Sequence, residues 1–142
     1  MPAGNPFSGS GAGIFPLGFV AVVAAGTPVQ LTSNIGSQAQ SGGTPGANPP
    51  TAKFAQKFTQ IIFQAPGATP VALPAANTGN IYLVKKGYTK ANSNGIIAII
   101  APGQTIAIPN GCMVTGGISP DDIYVDSDNS GEGVYATGIR GV

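Results

Sequence analysis

Residues 95–111 read GIIAIIAPGQTIAIPNG, and this stretch decides the fold class. It contains two apolar segments rich in isoleucine, residues 95–101 and 104–108, with Pro102-Gly103 between them and the turn signal 109–111 behind them. Short apolar runs bounded by Gly/Pro turns are typical of β-strands. We therefore expect two strands here. The first segment is continuously apolar, which predicts a strand buried on both faces.

Similar short runs continue on both sides of this stretch. Residues 57–65 (KFTQIIFQA) also fit one helical face, but no strong cap precedes them and Pro66 follows, so a strand is favoured. The other expected strands are residues 17–25, 29–31, 80–86, 123–125 and 134–139. About eight short strands without a convincing long helix predict an all-β fold, an antiparallel β-sandwich or jelly-roll.

The length of 142 residues fits one domain with an extended N-terminal arm. Residues 1–16 carry no charge and few core-forming side chains, so we expect them to form the arm and residues 17–142 to form the sandwich domain. A long Gly/Ser/Pro-rich loop is expected at 33–50, either as a plain surface loop or as a binding loop. The apolar run at 14–25 is too short to span a membrane, and no basic residue precedes it as in a signal peptide.

The charge content restricts the possible functions. Charged residues make up 8% of the chain, against about 25% in an ordinary soluble domain. There is no His and one Cys, which disfavours Ser-His-Asp and Cys-His catalysis, imidazole metal sites and a disulfide framework. A net charge of +1 gives no basic patch for nucleic acid. We expect no enzyme activity, no cofactor, no nucleic-acid or membrane partner, and a surface covered largely by other protein.

The acidic segment contains the one candidate metal site. Asp126, Asp128 and Ser130, in the stretch DSDNSG, match the opening of a calcium-binding loop. Position twelve of that loop is Thr137 instead of a chelating Glu, and no helices are expected beside it. Asp, Asn, Ser and Gly also favour tight turns through their backbone preferences alone. A hairpin turn over residues 126–133 is therefore favoured, and no metal is expected.

The remaining polar and reactive residues have ordinary structural explanations. Residues 121–122 are both Asp and follow Pro120, which indicates a solvated turn. Cys112 is expected to be a small buried apolar side chain, because no His is present to activate it. Three lysines, at positions 85, 86 and 90, indicate a charged strand edge that blocks aggregation. A weaker alternative is that they complement the acidic segment of a neighbouring copy.

Five short stretches of the chain carry a family resemblance. They are AGTPVQLT at 25–32, QIIFQA at 60–65, NTGNIYL at 77–83, IAPGQT at 100–105 and DIYVDSD at 122–128. Together they resemble small structural proteins of tailed-bacteriophage virions, over about residues 17–140, and the shared motifs are structural.

This resemblance implies a capsid decoration, or cement, protein or a related head or tail component. It implies a sandwich or jelly-roll fold, location on the virion capsid surface, the major capsid protein as partner, and assembly as a homotrimer. The family has no catalytic residues to transfer. The alternative is a β-sandwich binding or adhesion module, such as a host-glycan or fibre component. That function predicts exposed aromatic platforms, yet the chain has no Trp and its four tyrosines are scattered.

Overall fold

A computed structural model of the chain describes residues 13–32, 57–67, 76–109 and 117–140. These residues form eight strands in two antiparallel four-stranded sheets, which confirms the predicted all-β sandwich. Two short 3-10 helices, Ser93–Gly95 and Pro120–Asp122, precede β5 and β7. The strands are β1 Gly13–Ala21, β2 Val29–Gln30, β3 Gln60–Gln64, β4 Ile81–Lys85, β5 Ile96–Ile100, β6 Thr105–Ile108, β7 Ile123–Ser127 and β8 Gly133–Arg140.

The strands pair in a nested order. The first sheet has the order β1-β8-β3-β6 and the second has the order β2-β7-β4-β5. The first strand therefore pairs with the last, β2 with β7, β3 with β6 and β4 with β5. The chain changes sheet at every connection except the one between β4 and β5. This alternation brings distant parts of the sequence together at each end of the sandwich.

The hydrophobic core fills the space between the two sheets. In β3, Ile61 and Phe63 are fully buried while the residues beside them are more exposed, as the two-residue period of a strand requires. The ring of Phe15 packs on the ring of Phe58 with centroids 5.7 Å apart. The second sheet contributes mainly aliphatic side chains. Its fully buried core residues are Ile81, Leu83, Ile100 and Val125.

Strand β1 begins inside the region expected to be an arm. Gly13 pairs with Arg140 and Pro16 with Thr137, so residues 13–16 belong to the first sheet. An edge strand tolerates Pro16 because its outer side requires no ladder hydrogen bond. The strand also ends earlier than expected, at Ala21. Residues 1–12 of the expected arm lie outside the described residues.

Two expectations about strand neighbours are wrong. β5 is an edge strand, and Ile97 and Ile99 are 40% and 52% exposed, so the strand is not buried on both faces. The acidic turn after Ser127 is not a hairpin, because β7 and β8 belong to different sheets. In each case the local sequence identifies a strand or a turn correctly. Which strands become neighbours depends on the packing of the whole sandwich.

The lysine-rich strand also lies elsewhere than expected. β4 is an interior strand between β7 and β5, so its lysines do not protect a sheet edge. Lys85 is the last residue of β4, and Lys86 lies in the turn that follows. The predictions for the loop at 33–50 and for Cys112 fall outside the described residues.

Candidate functional site

Asp126 lies buried at one end of the sandwich, where three segments of the chain meet. Its carboxylate oxygen Oδ1 accepts hydrogen bonds from the backbone N–H groups of Gly26 and Ser127, each at 2.8 Å. The other oxygen, Oδ2, accepts one from the N–H of Lys90 at 2.9 Å. The side chain is completely shielded from solvent. Asp126 therefore ties the β1–β2 turn and the β4–β5 connection to β7.

Asp128 lies beside it and faces β4. Its Oδ2 accepts a hydrogen bond from the backbone N–H of Asn80 at 2.9 Å, and its Oδ1 accepts one from the Tyr82 hydroxyl at 3.1 Å. The Lys90 ammonium lies 3.6 Å from Oδ1 and donates to the carbonyl of Ser127 at 2.8 Å. The Asn80 amide, with Tyr82 and Lys90, holds the pKa of Asp128 below its ordinary value despite partial desolvation. Lys90 thus contacts the acidic segment of its own chain.

Glu132 also anchors a neighbouring segment, from the other end of the turn between β7 and β8. Its Oε1 accepts hydrogen bonds from the amide and the hydroxyl of Thr78, at 2.6 and 2.8 Å. Its Oε2 accepts one from the Gly79 amide at 3.0 Å. Desolvation raises the pKa of Glu132, but the hydrogen bonds from Thr78, Gly79 and Asn129 outweigh it, and the pKa lies below its ordinary value. The carboxylate holds the segment before β4 against the β7–β8 connection.

Ser130 completes the set named as a weak candidate metal site, and its oxygen is also engaged. Its hydroxyl oxygen accepts a hydrogen bond from the Ala25 amide at 3.0 Å. Each of the three predicted residues therefore directs an oxygen at an N–H or O–H donor, whereas calcium requires those lone pairs for itself. Among the described residues no group of three or more carboxylate, thiol or imidazole side chains is arranged to hold a metal. The geometry favours loop anchoring.

The sequence did not single out Asn77 or Glu132, although both belong to this network. The buried Asn77 amide donates to the carbonyl of Gly133 at 2.7 Å and accepts from its N–H at 3.3 Å. Thr78-Gly79 resembles an ordinary turn, and a lone Glu after a turn gives no pairing signal. Only the change of sheet between β7 and β8 brings these two segments together.

Asp121 is buried, contrary to the expected solvated turn. It is 9% exposed, and its Oδ1 accepts a hydrogen bond from the Thr32 hydroxyl at 2.7 Å. Its carbonyl accepts another from the Gln30 side chain at 2.8 Å. Asp122 is exposed, as a residue of a solvated turn should be. Asp121 therefore anchors the segment that follows β2 instead of facing solvent.

The second notable surface lies at the side of the sandwich where β6 forms the edge of the first sheet and β5 forms the edge of the second. It is here called the β5–β6 flank. It contains a groove of about 820 Å³ lined by both strands. Apolar side chains predominate, and no charged or aromatic side chain of the described residues lines it. The apolar residues most important here are Ile62, Ile97, Ile99, Ile106, Ile108 and Pro109. This lining suits contact with another uncharged surface and offers no acid, base or nucleophile.

Chemically, the described carboxylates at the acidic end act as hydrogen-bond acceptors for backbone amides. This use requires no substrate and holds these loops together by hydrogen bonds. No helix within the described ranges has the length and apolar character needed to cross a membrane. Comparison of the chain with protein-family models, with curated proteins and with solved structures finds no match in any of the three.

Proposed function

We propose that this chain is a structural virion protein, a capsid decoration protein that binds the assembled phage head and stabilises it by non-covalent contacts. The major capsid protein is its partner, and the virion surface is its location. The proposal rests first on the sequence resemblance described above. The structural observation that supports it best is a sandwich whose described surface carries few charges and several exposed apolar side chains. These include Ile14, Val23 and Ile99, at 57%, 77% and 52% exposure.

The nested strand pairing supports the finer assignment of the fold. Pairing of β1 with β8, β2 with β7, β3 with β6 and β4 with β5 is the order expected when one long hairpin rolls into two sheets. That order is typical of a jelly-roll, an architecture that recurs in viral capsid and lectin domains. We therefore propose the jelly-roll as the specific fold of this sandwich.

The adhesion alternative has less support from the described surface. Sugar-binding sites combine an aromatic platform with convergent polar groups. Among the described residues, none of those that line the groove of the β5–β6 flank is aromatic, and the polar side chains there are Gln104 and Thr105. The aromatic pair of Phe19 and Tyr135, with centroids 4.9 Å apart, lies on the first sheet away from that groove. The decoration function is therefore the one we propose.

Binding to particles tests this function. The full chain is added to phage heads stripped of it, and the bound amount is measured from about 50 mM to 1 M NaCl, a range that shortens the Debye length several-fold. We expect saturable binding at many sites with affinity nearly independent of salt, because the chain has few charges to screen. Absence of binding would contradict the decoration function. A fall in affinity by orders of magnitude as the NaCl concentration rises would contradict an apolar contact and indicate counterion release.

The proposed homotrimer is tested separately in solution. Light scattering of the free protein should give three times the chain mass of 14.0 kDa. A monomer mass for the free protein, together with monomers on the particle, would contradict the trimer and leave the decoration function in place.

A further inference from the structure

Within the part of the chain that the structure describes, the β5–β6 flank leaves backbone edges of the sandwich without a strand partner. β5 pairs with β4 and β6 pairs with β3, and among the described residues neither strand has a neighbour on its other side. Unpaired N–H and C=O groups on an edge strand provide a template for pairing with another chain. At this edge Ile97 and Ile99 also expose apolar surface, at 40% and 52%. The flank therefore combines open hydrogen-bonding groups with apolar contact area.

The opposite flank carries more of the features that prevent such pairing, although β5 also has an irregular register. β1 contains Pro16 and an irregular register between Pro16 and Gly18, and β2 is two residues long. Proline, irregular register and short length are the usual devices that prevent edge pairing. β5 has neither a charged residue nor a proline. Its register shift against β4 falls at Ile97, whose side chain stays on the exposed surface like that of Ile99.

The sequence of β5 is palindromic. It reads Ile-Ile-Ala-Ile-Ile, the same in both directions about Ala98. A contact around a two-fold axis places the same patch of both subunits face to face. If two β5 strands meet antiparallel about Ala98, Ile97 of one copy lies opposite Ile99 of the other. The two exposed apolar side chains of each copy then cover those of its partner.

Charge identifies the kind of partner as well. No charged side chain of the described residues lines the flank. An uncharged surface offers nothing to phosphates or to anionic lipid headgroups. When two copies meet through this uncharged flank, their contact buries no unpaired ion.

We propose that the β5–β6 flank is a contact between two copies of this chain, formed by antiparallel pairing of their β5 strands around a two-fold axis. A two-fold contact joins two copies and does not close a three-fold ring. It therefore goes beyond the proposed decoration function, since it links copies that belong to different trimers. A contact limited to one short edge strand lies in the weak class of interfaces, so it acts at high local concentration.

Self-association of the full chain tests this proposal. Sedimentation equilibrium is measured up to about 1 mM, because small interfaces fall in the weak range of affinity. We expect Ile99→Lys to lower the association constant at least about tenfold, because each ammonium group would lie opposite Ile97 of the other copy, in a contact without a counter-charge. Ile14→Lys is the matched control, since Ile14 is 57% exposed on the opposite edge strand β1. It should leave association unchanged. Equal association of both variants would overturn the proposal.

A cross-linking experiment tests the register. In a Cys112→Ser background, Ile97→Cys and Ile99→Cys are prepared as separate full-length variants, then mixed and oxidised. Opposed Cα atoms in antiparallel strands lie about 4.5–5.5 Å apart, within the range of a disulfide. We expect interchain disulfides in the mixture and far fewer with either variant alone. No cross-link, or equal cross-linking in all three samples, would overturn the proposal. Neither result depends on binding to phage heads, so failure of the decoration function is separately visible.

Discussion

Asp126 stabilises the acidic end of the sandwich because its buried carboxylate satisfies three backbone amides at once. They belong to Gly26, Ser127 and Lys90. An amide that loses its acceptor inside a protein costs about 1–3 kcal/mol. We expect Asp126→Ala to lower the free energy of unfolding by about 3 kcal/mol or more, measured by urea denaturation. The exposed Asp122 supplies the control, because Asp122→Ala should change stability by less than about 0.5 kcal/mol. Similar values for the two variants would contradict the anchoring role.

Glu132 makes the stability of the fold depend on pH. Its pKa is lowered in the folded protein, so its contribution is fully present above its unfolded pKa. That contribution is lost as the pH falls through the folded pKa, which places the loss below about pH 5. The lowered pKa of Asp128 acts in the same direction.

We expect Glu132→Gln to make the loss of stability in acid less steep, as measured by thermal unfolding at a series of pH values. Thr78→Val keeps the amide donor to Glu132 and removes the hydroxyl donor, so it should produce a smaller change in the same direction. If Glu132→Gln loses stability with falling pH as steeply as the original chain, the hydrogen bonds to this carboxylate do not stabilise the fold.

At the scale of elements, the junction of β1 and β8 depends on a close approach at Gly133. A Cβ atom at this position would press against the carbonyl of Val20 and would lie 2.9 Å from the Cα of Ala21. The opposing atoms are backbone, which cannot turn aside as a flexible side chain can. Asn77 binds both backbone groups of Gly133, so the glycine cannot shift away without breaking those hydrogen bonds.

We therefore expect Gly133→Ala to destabilise the sandwich by about 2–3 kcal/mol, within the range for backbone strain combined with lost hydrogen bonds. Urea denaturation measures the loss. A change below about 0.5 kcal/mol, the level of an ordinary surface substitution, would show that β1 can move away from β8 at little cost.

At the scale of the whole molecule, we expect the sandwich not to depend on the residues that precede β1. Every core residue that the structure describes is Leu17 or a later residue, and Gly13 is the first residue paired in the sheet. Deleting residues 2–12 should therefore change the melting temperature by only a few degrees, since segments outside the core tolerate truncation. Under the proposed function the same deletion should weaken binding to phage heads. A large loss of melting temperature would show that the segment belongs to the core.

The sequence by itself determined the class of fold and the approximate position of each described strand. Alternating or continuous apolar runs bounded by Gly and Pro placed every strand within a few residues, including β3, whose pattern also fitted a helix. These signals are local, since they depend on the two-residue period of a strand and on the backbone preferences of turn residues. The same local chemistry identified a turn in the acidic segment, although Asp126 and Ser127 belong to β7 and the turn begins after them.

The tertiary structure decided which strands became neighbours, and with them the candidate sites. Exposure of Ile97 and Ile99 follows from the position of β5 at a sheet edge, and an apolar run has no feature that distinguishes an edge from a centre. Apart from the neighbouring Ser127, the partners of Asp126 lie 36 and 100 residues away along the chain. Apart from the nearby Asn129, the partners of Glu132 lie 53 and 54 residues away. Such pairings arise only when the two sheets close over a shared core. The physical reason is that strand and turn preferences act over a few residues, whereas burial and hydrogen-bond satisfaction are properties of the assembled sandwich.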